Sequence, residues 1–112
     1  MDNNEKKIRV RDVQDMLDLI GGRWRASILA ILCSGEAKRF SEIFEELEHI
    51  TPRVLSKELK YLEMNNIIKR EQGTVSRNSV VYYFTEHGKT LEPLITEIHQ
   101  WAKKHREIMI HR

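Results

Sequence analysis

Arg53, Lys57 and Lys60 recur at helical spacing within residues 51–64, while Leu55, Leu59 and Leu62 fall on the opposite side of the same turns. A helix that turns leucines toward its own protein and cations outward is built to hold a polyanion. Guanidinium and ammonium groups meet phosphate oxygens, and arginine, serine and threonine also reach the donors and acceptors on base edges in a major groove. Lys57 and Lys60 are therefore candidates for phosphate, and Thr51, Arg53, Ser56 and Lys57 for base edges. A basic stripe by itself is as often a plain solvated face. The elements around it must decide.

The stripe begins at Thr51-Pro52, a capping hydroxyl followed by a residue whose missing amide costs nothing at the first helical position. Before it lies a short helix carrying Ile43, Phe44 and Leu47, which Ser41 is placed to cap, and a tight turn at Glu48-His49-Ile50. Two helices joined in this way form a helix-turn-helix, whose second member enters the major groove. Upstream, Val13, Met16, Leu17 and Ile20 define a first helix that stops at Gly21-Gly22. A second helix, with Trp24, Ile28, Leu29, Ile31, Leu32 and Cys33, is apolar enough to be central and closes at Ser34-Gly35. Residues 1–11 are polar and read as a flexible arm.

After Asn65-Asn66 come two β-like runs, 67–71 and 80–84, separated by a polar tip. They predict an antiparallel hairpin, a wing, with Arg77 and Asn78 at its tip facing the DNA backbone or the minor groove. Thr85 then caps a last helical region in which Leu91, Leu94, Ile95, Ile98, Trp101, Ala102, His105 and Ile108 share one side. Pro93 predicts a kink or a restart near Glu92. The fold class expected is α+β, a single mostly helical winged helix-turn-helix domain spanning 1–112 with a small hairpin.

Charge supports this order. The whole chain of 112 residues carries only +2, but residues 36–50 hold five acids against two bases and residues 51–80 hold six bases against three acids. The sign reverses where the reading helix begins. Other chemistries lack their residues. Cys33 is the only cysteine, so no internal disulfide or Cys-x-x-Cys site can form, and it is expected to act as a small core hydrophobe. The five histidines include no i,i+4 pair, the glycines form no phosphate loop, and Glu45 and Glu46 lie on a solvated face. Neither enzymatic activity, a metal nor a cofactor is expected. No apolar run is long enough for a membrane span and the start lacks the apolar core of a signal peptide, so a cytoplasmic protein is expected.

Several short segments resemble one family. Leu19-Ile20-Gly21-Gly22-Arg23-Trp24, Arg39-Phe40-Ser41-Glu42-Ile43, Ile67-Ile68-Lys69-Arg70 and Val81-Tyr82-Tyr83-Phe84-Thr85-Glu86-His87-Gly88 together look like an HxlR-type regulator across about 13–105. The resemblance implies a winged-helix homodimer on double-stranded operator DNA, paired through its first and last helices and expected to repress. It places Arg39 and Ser41 with Thr51, Arg53, Ser56, Lys57, Lys60, Arg77 and Asn78 among the DNA-binding residues. Val13, Met16, Leu17, Ile20, Leu94, Ile98, Trp101, His105 and Ile108 would form the dimer contact. Family members often carry a sensing cysteine before the first helix, where Arg11, Asp12 and Val13 stand here. They usually have glycine in the turns where His49 and Asn66 stand, and proline in the wing where residues 74–78 lie. Two alternatives stay open on the residues alone: a winged helix that contacts only protein through its acidic third helix, and a regulator gated by an unidentified small-molecule effector at the dimer interface.

Overall fold

The computed structural model describes residues 1–73 and 79–111. Helix α1 runs Asn3–Ile20, α2 Arg25–Leu32, α3 Phe40–Glu46 and α4 Pro52–Met64, with a two-residue strand β1 (Lys38–Arg39) between α2 and α3. Strands β2 (Ile68–Glu71) and β3 (Val81–Phe84) form the wing, and α5 (Glu86–Lys89) and α6 (Glu92–Ile110) close the chain. This is the winged helix-turn-helix that the pattern of elements predicts.

One core holds it together. Ile28, Leu29 and Leu32 of α2 meet Ile43 of α3 and Leu55, Leu59 and Leu62 of α4, and the wing adds Ile68, Tyr82 and Phe84. The helical stripes converge because each helix has one apolar side and α2 has more than one. The wing is part of a three-stranded antiparallel sheet in the order β1-β3-β2, with Ile68 opposite Phe84 and Glu71 opposite Val81. Its third strand was expected only as an extended link. Lys38 pairs with Tyr82 and Arg39 with Val81, covering an edge of β3 that would otherwise be bare, and two residues are too few to show a period of two in sequence.

Two boundaries differ from expectation. The first helix starts at Asn3 rather than near Val13, because the Asp2 carboxylate accepts the Glu5 N–H at 2.8 Å and nothing in 3–12 breaks a helix, so the expected arm at 1–11 is largely helical. Ser41 does not cap α3. The cap lies two residues earlier, at Arg39, so the helix begins at Phe40, and its first turn is tied by the Glu42 carboxylate accepting the Arg39 N–H at 2.9 Å. Elsewhere the turn chemistry holds. Thr51 accepts the Val54 N–H at the start of α4, and the last helical region breaks as Pro93 requires, with α6 restarting at Glu92. Gly22 has φ +78°, the left-handed conformation that lets α1 turn directly into α2. Buried Gly88 brings α5 against the Ile67 carbonyl, where a methyl group would overlap the oxygen. Thr85 joins the same point, donating its hydroxyl to the Asn66 carbonyl at 2.7 Å and accepting the Gly88 N–H at 2.8 Å.

The terminal helices touch this core along only part of their length, through Met16, Leu19 and Ile20 of α1 and Ile95 of α6. α6 has no buried residue in 19, and α1 buries only Ile20. The radius of gyration is 16.5 Å, against roughly 13 Å for a compact chain of this length. Among the described residues no helix is long and apolar enough to cross a membrane.

Candidate nucleic-acid interface

The interface is built on α4. Its three leucines are within 1% of complete burial, which fixes the rotation of the helix and forces the intervening positions outward. Thr51, Arg53, Ser56, Lys57 and Lys60 are all exposed, and 56, 57 and 60 stand three, four and seven residues after 53, so these four share a face. No ion pair among the described residues engages Arg53, Lys57 or Lys60. Glu58, the acid between Lys57 and Lys60, is turned inward instead. It is only 15% exposed and bonds Arg25 Nε at 2.6 Å, so it does not neutralise the outer face. Of the two acids near these cations, Glu58 is thus withdrawn from the face and only Glu63 lies beside Lys60, so the outer side of α4 keeps a net positive charge.

The base of the wing extends that face. Arg70 of β2 lies with Ser56, Lys60, Glu63 and Tyr82 around a shallow hollow of about 170 Å³, bringing an exposed guanidinium beside the second half of α4. Arg70 was missing from the sequence-derived site. Strand alternation could have found it, because Lys69 and Arg70 must point to opposite sides of the sheet and one side faces α4. Tyr83 donates its hydroxyl to the Glu71 carboxylate at 2.9 Å across the hairpin, and this bond to the charged acceptor raises its pKa. Arg77 and Asn78 lie outside the described residues.

Arg39 and Ser41 belong to other elements. Arg39 is exposed on β1 and pairs with Glu42 at 3.5 Å, and Ser41 is exposed in the first turn of α3. The Glu42 carboxyl is held below its ordinary pKa, first by the Arg39 backbone N–H and then by the charges of Arg39 and Lys38. No hydrogen bond or ion pair among the described residues joins either residue to the cations of α4. The residues expected at a dimer contact divide as well. Val13, Leu17, Leu94, Ile98, Trp101, His105 and Ile108 are exposed, whereas Ile20 is buried in the protomer's own core and Met16 packs partly against it.

Known proteins share both the sequence pattern and the fold. The pattern of HxlR-like helix-turn-helix proteins matches residues 19–109. The chain belongs to the HxlR-like helix-turn-helix family. It is 38% identical over 95 residues to the HTH-type transcriptional regulator YdeP of Bacillus subtilis, covering 85% of this chain and 73% of that one. It is 34% identical over 90 residues to the regulator YodB of the same organism, covering 80% of each. Among solved structures, the redox regulator HypR in its reduced form superposes with a TM-score of 0.81 at 32% identity, over 90% of this chain and 99% of HypR. This HxlR-like chain is thus a DNA-binding transcriptional regulator of the helix-turn-helix type, from a family of regulators rather than enzymes.

Proposed function

We propose that the protein binds, as a homodimer, an approximately palindromic site in cytoplasmic double-stranded DNA, with its two α4 helices in successive major grooves about 34 Å apart. The observation that carries this is the outer face of α4, where Arg53, Lys57 and Lys60 stand exposed and without acidic partners opposite three buried leucines. Lys57 and Lys60 hold phosphate together with Arg70, while Arg53, Ser56 and Thr51 at the start of the helix reach base edges. Arg77 and Asn78 add contacts to the DNA backbone. Arg39 and Ser41 add contacts from β1 and α3.

The second copy follows from α1 and α6. Val13 and Leu17 on one helix, and Leu94, Ile98, Trp101 and Ile108 on the other, leave apolar stripes open to solvent. Contiguous apolar stripes left open on two helices mark a surface that a second copy would cover. With α4 given to DNA and the terminal helices to the second copy, occupancy of the site is itself the regulatory act. That is how a repressor works. The redox control named for HypR does not carry over through Cys33. This residue sits at the end of α2, half-buried, and burial followed by the charge of Glu92 pushes its thiol up, away from the reactive thiolate.

Selection from randomised duplex DNA, followed by gel shift at graded salt, tests the reading. A palindromic consensus is expected. If six to ten phosphates are neutralised, affinity should fall by about 10³ to 10⁵ between 50 and 200 mM salt. A flat salt response, or Arg53→Ala/Lys57→Ala binding like wild type, would refute it.

A further inference from the structure

Arg25 is not among the residues that touch DNA or a second copy in the proposal above, yet its guanidinium makes polar contacts with two other helices at once. Its Nε donates to Glu58 of α4 at 2.6 Å, and its Nη1 donates to the Asp18 carbonyl of α1 at 2.8 Å. Its guanidinium lies 3.5 Å from the ring centroid of Tyr61, whose hydroxyl donates to the same Asp18 carbonyl at 3.3 Å. Arg25 is the first residue of α2, placed there by the left-handed turn at Gly22. The carbonyl it engages lies in the last turn of α1, where helical carbonyls lack intrahelical donors and need them from elsewhere. One guanidinium, 24% exposed, thereby joins three helices.

The ends of this joint lie beside the two surfaces that the proposed function uses. Asp18 follows Leu17, which is 59% exposed on the open stripe of α1, and Glu58 follows Lys57 on the reading face of α4. The apolar hold on α1 is confined to its last turns, where Ile20 is buried and Met16 and Leu19 pack partly against the core, so a polar joint at Asp18 acts on its angle. In a dimer paired through α1, the separation of the two α4 helices depends on the angle between α1 and α4 within each protomer. We propose that Arg25 is a positioning residue that fixes this angle and so sets the half-site spacing the dimer accepts. This rests on the dimeric DNA-binding reading above. The planar fork is needed because Nε and Nη1 point to different helices while the face stacks on Tyr61. A lysine ammonium could satisfy one of these contacts but not all three.

The test uses the full chain and the strongest palindrome recovered by selection, with versions whose spacer is lengthened or shortened by two base pairs, and a single half-site. For Arg25→Ala and Arg25→Lys, affinity for the native spacing should drop by about 5- to 150-fold, preference over the altered spacers should flatten, and half-site affinity should stay at the wild-type value. Glu58→Gln, which keeps the size of the side chain, should show the same change in part and supplies the answer if Arg25→Ala does not fold. Unchanged spacing preference in all variants overturns the proposal. So does equal loss of half-site and palindrome binding in a folded variant, which would confine Arg25 to supporting α4 within one protomer. Failure of the wild-type chain to bind any duplex, or indifference to Arg53→Ala/Lys57→Ala, would instead remove the underlying reading.

Discussion

Helices α4 and α6 are both amphipathic, yet they use their two sides in opposite ways. α4 spends its apolar side inside the protomer, burying Leu55, Leu59 and Leu62, and shows solvent a cationic face. α6 buries no residue, and shows solvent Leu94, Ile98 and Ile108 with Trp101 stacked 4.9 Å from His105. The partner of each helix is the complement of what its own chain leaves uncovered. A cationic face satisfied behind by leucines calls for a polyanion, and a bare apolar stripe calls for another apolar surface.

Alanine at matched positions sharpens the contrast most. Leu59→Ala removes a buried side chain between α4 and the core and should cost about 2–5 kcal/mol of folding stability, read from urea denaturation. Trp101 is 68% exposed, so Trp101→Ala should change protomer stability by no more than about 0.5 kcal/mol. It should instead weaken dimerisation by about 2 kcal/mol or more in sedimentation equilibrium, as buried tryptophans at interfaces do. Trp101→Ala that unfolds the protomer without moving the dimer constant would erase the distinction.

The next effect separates charge from packing within α4. Lys57→Ala should lower the salt slope of DNA binding by about 1 without changing sequence preference, and Arg53→Ala should cost about 1–3 kcal/mol and relax preference at one base pair. Neither should disturb the melting temperature, since both side chains are exposed. Thr51→Ala acts on the helix itself. Losing the hydroxyl that accepts the Val54 N–H should cost about 1 kcal/mol of stability. It should also weaken DNA binding, since the proposed site sets Thr51 against a base edge, and unchanged affinity in the folded variant would remove Thr51 from that site.

The same comparison explains what could be read from the sequence. The helices, the wing and the exposed cationic face of α4 were legible because periodicity reports which side of an element is apolar, and on α4 the core and the outer face are both periodic. The apolar stripe of α6 was legible too, along with the break at Pro93. What periodicity does not report is where an element ends when a polar residue caps it, so Asp2 extended α1 unseen and Glu42 took over the role expected of Ser41. Nor does it report contacts between elements far apart in sequence. Arg25 and Glu58 are 33 residues apart, and β1 became a strand only because β3 offered an edge. Ile20 fell on the same stripe as Val13 and Leu17, but the stripe runs from solvent into the core along α1, and only the packing shows where it crosses.

The smallest expected effect lies in the turns that flank α4. His49 and Asn66 have φ +69° and +60°, both in the left-handed region, at the two positions where the family resemblance calls for glycine. Left-handed geometry costs a β-carbon-bearing residue about 1–2 kcal/mol, and glycine gives back about 0.5–1 kcal/mol through its freer unfolded chain. His49→Gly should therefore stabilise the protein by about 0.5–1 kcal/mol. Asn66→Gly should gain less, because asparagine's short amide already tolerates this conformation. Both turns flank α4, and no hydrogen bond among the described residues joins either to α6, so thermal denaturation should register the gain while the dimer constant stays where it was. A dimer constant that moved with His49→Gly would mean the α3–α4 turn and the terminal helices are coupled, and the separation of the two surfaces would then fail at its weakest point.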